Sequence, residues 1–175
     1  MKKDLLANFL KDPALSTYRE RLIEHIFIAD IVQAAIKQGQ IIMVSRSEID
    51  VWGYDIVLNC DKVSRSIQLK SSLKGSIKAS LSLAGIPGSC IVRAMPSVSE
   101  TESKIFLTYK IFESGATKGL ALDNFAPAKA SRWIKDKSGK AIRKVRSKHV
   151  SVPQSAFGRS MNAEKLFSLL FPQLD

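Results

Sequence analysis

The chain has 175 residues, 45% of them apolar, and a formal net charge of +11. That length and apolar share suit one domain with one core and exclude wholesale disorder. The longest apolar stretch, from about Ile26 to Ile36, is broken by Asp30 and Gln33 and falls short of a membrane span. In the first fifteen residues Asp4, Asn8 and Asp12 interrupt the apolar run that a signal peptide needs, so the expectation is a cytoplasmic protein.

A preamble containing Pro13 leads to Ser16 and Thr17, either of which can cap a helix. Glu20 follows Thr17 at the capping-box spacing, which predicts a helix from about Tyr18 to Lys37 that stops at Gly39. Its middle, Leu22-Ile23-Glu24-His25-Ile26-Phe27-Ile28, is apolar on more than one side and should pack deep. Ile41 to Val44 reads as a strand, followed by a polar turn over Ser45 to Asp50. Tyr54 to Cys60 and Ser66 to Lys70 read as a hairpin turning near residue 62.

Ser76 to Leu83 alternates like a strand, Gly85-Ile86-Pro87-Gly88 signals a turn, and Ser89 to Ala94 and Lys104 to Phe112 are further strands. Residues 129 to 148 look like a loop or ribbon. Val150 to Val152 makes a short strand and Asn162 to Leu170 a closing helix. With no internal repeat, a single α/β domain over 1–175 is the economical reading. Cys60 and Cys90 sit in apolar strand-like segments that suit burial as small hydrophobes, a single disulfide being the alternative. His25 and His149 are too few and too scattered for a zinc site.

Three residues of the hairpin do not suit a plain apolar sheet. Antiparallel pairing about residue 62 sets Asp55 opposite the segment 68–70. Gln68 and Lys70 share one strand face because side chains alternate, so a carboxylate, an amide and an ammonium converge there. A carboxylate and a neutral amide oxygen suit a hard divalent cation, and an ammonium beside them can orient or deprotonate water or stabilise charge on a phosphate. Glu24, an acid among Leu22, Ile23, Ile26 and Phe27, should meet a cation, a metal or donors, with Glu20 one turn earlier as the fallback. The plainer readings are a helix-edge position for Glu24 and a solvated strand end for Lys70.

A helix acid, an Asp opening a strand, and Glu or Gln, any residue and Lys on the paired strand together resemble the signature of the PD-(D/E)XK nucleases. Here these are Glu24, Asp55, Gln68 and Lys70. The run "EHIFIADIV…SEIDVWGYDIVL…IQLKSS" is also similar to a bacterial group in that superfamily with a QxK variant of the motif. The likeness covers residues 20 to 72 and extends loosely to "GIPGSCIV". It implies a restriction-endonuclease-like core, a mixed β-sheet flanked by helices, over about 16–112. It further implies Mg²⁺ or Mn²⁺ held by Glu24, Asp55 and Gln68, with Lys70 assisting the attacking water. Gln68 stands where an acid is commoner, which lowers the expected hold on metal. Many relatives act as dimers, so a homodimer is part of the expectation. Glu48 and Asp50 in the preceding turn could add a ligand, and Ser71 and Ser72 could bond phosphate or simply end the strand.

The charge excess is concentrated. Residues 1–128 hold 16 bases against 13 acids, and residues 149–175 balance. Residues 129–148 hold Lys129, Arg132, Lys135, Lys137, Lys140, Arg143, Lys144, Arg146 and Lys148 against the lone Asp136. Such a cluster neutralises backbone phosphates, and Trp133 within it can stack on a base or anchor the segment. A solvated loop is the plainer reading. The leading expectation is therefore a metal-dependent nuclease acting on DNA. The alternatives are an inactive DNA-binding module of the same fold, and an interaction protein whose basic face meets an acidic partner.

Overall fold

A computed structural model of the chain describes residues 2–47, 52–71, 75–99, 101–135, 138 and 140–172. The preamble carries a helix of its own, α1 (Lys2–Lys11). The Arg19 guanidinium donates to the carbonyls of Phe9 and Asp12 at 3.3 and 2.9 Å, satisfying acceptors that a helix end leaves open. Asp12 then caps a 3-10 turn over Pro13–Leu15, and α2 (Ser16–Lys37) continues directly from it. The capping box expected of Thr17 and Glu20 does not form, because the N-cap position falls on Leu15, which makes no side-chain cap bond. At the other end Gly39, with φ +71°, supplies the left-handed residue that stops the helix.

Two sheets follow. The first holds β1 (Ile42–Arg46), β2 (Ile56–Cys60), β3 (Val63–Lys70), β5 (Ser89–Val98) and β6 (Ile105–Glu113) in the order β1-β2-β3-β5-β6. Only β3 and β5 run parallel; the other neighbours are antiparallel. The second sheet holds β4 (Ile77–Ser80), β8 (Ala141–Val152) and β7 (Pro127–Lys135) in that order. The chain closes with α3 (Ala163–Leu170), capped by the Asn162 side chain. The chain is thus α/β with a mixed five-stranded sheet. Its predicted strand over 76–83 shortens to β4, because Leu81–Gly85 winds into a 3-10 turn. Strand β5 runs past Pro96 to Val98. Beyond Arg93 its ladder partner among the described residues is β6, and a residue lacking N–H is tolerated there.

Among the described residues, α2 and α3 pack on the same face of this sheet. Ile23, Phe27 and Ile31 of α2 and Leu166, Phe167 and Leu170 of α3 pack on Ile56, Leu58, Ile67, Val92 and Tyr109. Ile91 and Phe112, on the opposite face, pack with Ile77, Ala79, Leu83, Val150 and Val152. The expected single core is therefore two, one on each side of the five-stranded sheet. Period-two alternation along β5 and β6 feeds both. Helix α2 buries one stripe, Ile23, Phe27, Ile31, Ala34 and Ala35, and leaves Ile36 exposed, so it is less enveloped than its composition suggested. No helix among the described residues is long and apolar enough to cross a membrane.

Arg65 and Arg93 are the largest fully buried side chains among the described residues, and Arg65 ties the sheet to α3. Its Nε donates to the Leu170 carbonyl at 2.6 Å and its Nη2 to Leu169, so a strand residue caps the last turn of α3 with the charge that a helix C-terminus favours. Nη2 also lies 3.3 Å from Glu113 Oε2, a charge pair within the protein. Replacing Arg65 by Met strands those acceptors, and urea denaturation should show a loss of about 3–5 kcal/mol. The thiols of Cys60 and Cys90 are free and buried, and burial raises Cys90 to about 12. Neither should react with a thiol reagent at pH 8 until the protein is unfolded, when both should react.

Candidate functional site

Asp55 immediately precedes β2 and Lys70 ends antiparallel β3, so both lie at one end of the sheet. The paired register ends at Ile56↔Ile67, and just beyond it the Asp55 side chain meets the Leu69 N–H, within the expected segment 68–70. The turn falls on Asp61-Lys62, with Asp61 at φ +49°. Asp55 is held from three directions. Its N–H donates to Ile67 O at 2.8 Å, its carbonyl accepts from Ser47 N–H at 3.0 Å, and its Oδ2 accepts from Leu69 N–H at 2.7 Å. The last bond ties the carboxylate to the strand that carries Lys70.

A cleft of about 310 Å³ opens there, lined by Thr17, Glu20, Arg21, Ile23, Glu24, Asp55, Leu69, Lys70 and Ser71. Three of the four motif residues, Glu24, Asp55 and Lys70, therefore share one cavity. Glu24 meets a cation, as an acid in that apolar run should. Its Oε1 lies 2.9 Å from Arg46 Nε in an ion pair, with the two side chains 28% and 48% exposed. Arg46 and the cleft residue Arg21 escaped the sequence reading, because nothing in their local pattern distinguishes them from surface bases. Glu20, the fallback acid, lines the same wall. Ser71 lines it too, while Ser72, Glu48 and Asp50 lie outside the described residues.

Gln68 does not line the cleft. It is 5% exposed, and its Nε2 donates to the Gly53 carbonyl at 2.6 Å. Its Oε1 is buried and has no hydrogen-bond partner among the described residues. An acid at this position would set a carboxylate oxygen against the Gly53 carbonyl, which explains locally why an amide suits it. Gly53 in turn has φ +80°, and a Cβ built on it would fall 2.2 Å from Ser80 Cβ. The close approach of β4 to the loop before Asp55 thus requires glycine.

The donor set fits a hard divalent cation in part. Glu24, on the helix side of the cleft, and Asp55, on its sheet side, offer two carboxylates, whereas the expected third ligand, Gln68, is buried outside that lining. Among the described residues no group of three or more His, Cys, Asp or Glu side chains is arranged to hold a metal, so neutral oxygens and water would complete the shell.

The basic segment is a ribbon. Lys129, Arg132 and Lys135 lie on β7 and Arg143, Lys144, Arg146 and Lys148 on β8, antiparallel with register shifts between Pro127 and Ala128 and between Lys129 and Trp133. Trp133 pairs in register with Arg143. Lys129, Lys140 and Lys148 are exposed, and Lys137 lies outside the described residues. Comparison of the chain with protein-family models, with curated proteins and with solved structures finds no match.

Gly53→Ala should destabilise the fold by about 2–4 kcal/mol through the clash with Ser80 and the left-handed backbone. Pairing it with Ser80→Gly should recover the part due to the clash. Thermal unfolding of the single and double variants measures both, and equal melting temperatures for the two would remove Ser80 from the explanation.

Proposed function

We propose that the protein has a restriction-endonuclease-like core and is a divalent-metal-dependent nuclease that hydrolyses phosphodiester bonds of DNA. The observation that carries this reading is the shared cavity. Residues 31 and 46 positions apart in sequence from Glu24, namely Asp55 and Lys70, line one cleft with it. Nothing in packing alone requires two carboxylates and an ammonium to meet there. Glu24 and Asp55 would hold a Mg²⁺ or Mn²⁺ ion, with water rather than the buried Gln68 completing the shell. The bound ion supplies charge neutralisation at the phosphate oxygens.

The chain's own residues do the rest. The Leu69 N–H fixes the Asp55 carboxylate, so that acid needs little reorganisation on binding. Lys70 orients the attacking water and stabilises charge that builds on the phosphate. Arg21, Thr17 and Ser71 offer further donors to an anionic backbone along the cleft. The β7–β8 ribbon supplies the long-range attraction and holds the duplex by its phosphates. A second reading, an inactive DNA-binding module, is favoured by one observation: Gln68 has its amide N–H committed to Gly53 and brings no negative charge to a thin ligand set.

Incubation with supercoiled, linear and branched DNA in Mg²⁺ or Mn²⁺ separates the two. The nuclease reading expects nicking that EDTA abolishes and that Asp55→Ala or Lys70→Ala lowers about a hundredfold or more with folding intact. Binding without cleavage on every substrate supports the module instead. In either case the affinity should fall steeply with salt. Alanine at Lys129, Lys140 and Lys148 together should reduce the slope of log K against log salt by about 2–3; an unchanged slope removes the ribbon from the interface.

A further inference from the structure

Arg46 ends the edge strand β1 opposite Ile56, and the next residue, Ser47, donates its N–H to the Asp55 carbonyl at 3.0 Å. The base is thus carried by the strand beside Asp55, yet its Nε reaches across to Glu24 on α2 at 2.9 Å. It joins the sheet side of the cleft to the helix side. Its partner oxygen belongs to one of the two carboxylates that a divalent cation would need.

We propose that Arg46 is the resident counter-ion of the cleft. It holds Glu24 while no divalent cation is bound, releases that carboxylate when one is, and then takes a phosphate of the DNA. This rests on the metal-dependent nuclease reading. A guanidinium and a metal compete for the same oxygen, so each weakens the hold of the other. The exchange is feasible because the pair is part-exposed, and pairs of that kind contribute little stability and are readily broken. Once released, the planar guanidinium fork matches two phosphate oxygens in a way that an ammonium does not. A lone positive charge beside a bound divalent cation is repelled by it, and an incoming anion relieves that repulsion. The same side chain therefore couples occupancy of the cation site to the grip on substrate.

The coupling has a signature of opposite signs. Titration calorimetry with Mn²⁺ should show Arg46→Met binding the ion about three- to tenfold more tightly than wild type, with Arg46→Lys, which keeps the charge, in between. Fluorescence anisotropy then follows DNA binding in a Lys70→Ala background, which suppresses cleavage. There Mn²⁺ should strengthen DNA binding, and adding Arg46→Met should reduce the ratio of the affinity with Mn²⁺ to the affinity without it. Circular dichroism melts confirm that each variant is folded. Unchanged or weaker Mn²⁺ binding by Arg46→Met overturns the proposal while the nuclease reading stands, as does Mn²⁺-strengthened DNA binding that ignores residue 46. If neither wild type nor Arg46→Met takes up Mn²⁺, the nuclease reading falls and the counter-ion role with it.

Discussion

Because β3 and β5 run parallel, the chain leaving Lys70 cannot turn back at once and must cross over the sheet before it re-enters at Ser89. That crossover carries β4 and the turn to Gly88, and it lays them on the sheet face that α2 and α3 leave bare. Strand β3, in the middle of the five, is consequently covered on both faces and paired on both edges. Its C-terminal end is the place where the chain departs, and crevices of open sheets form at such points. Strand β2 runs antiparallel beside it, so the beginning of β2 meets the end of β3. Asp55 and Lys70 come together for that topological reason.

The cleft is a mixture of charges rather than a field of one sign. Glu20, Glu24 and Asp55 face Arg21 and Lys70, and Arg46 reaches Glu24 from outside the lining. Within it, acids and bases stand close enough to balance one another. The acid of α2 is held by a side chain, whereas Asp55 is held largely by backbone N–H and carbonyl groups. The first can exchange partners at the cost of a rotamer change. The second cannot move without the hairpin.

Gly53 joins the two layers at this point. Its carbonyl receives Gln68, its bare Cα admits Ser80 of the second sheet, and Asp55 is two residues further on. A strain in the packing of β4 is thereby transmitted to the loop that presents Asp55. The buried amide serves the loop with its nitrogen while its oxygen is left without a protein partner.

Much of the local structure was legible in the chain itself. Alternation and turn residues located the hairpin, Gly39 ended α2, Asn162 began α3, and the +8 segment stood out by count. These features depend on neighbours within a few residues, where periodicity and φ preferences act. The helix at Lys2–Lys11, held by Arg19, and the extension of β5 past Pro96, permitted by a missing neighbour, depend on distant partners and left no such trace. For the site, the sequence named Glu24, Asp55 and Lys70 by residue type and spacing. Only the tertiary structure decided that they share a cavity, that Gln68 turns to Gly53, and that Arg46 answers Glu24. Side-chain chemistry is written in the chain, but which groups meet is set by strand order and by the layers that close over them.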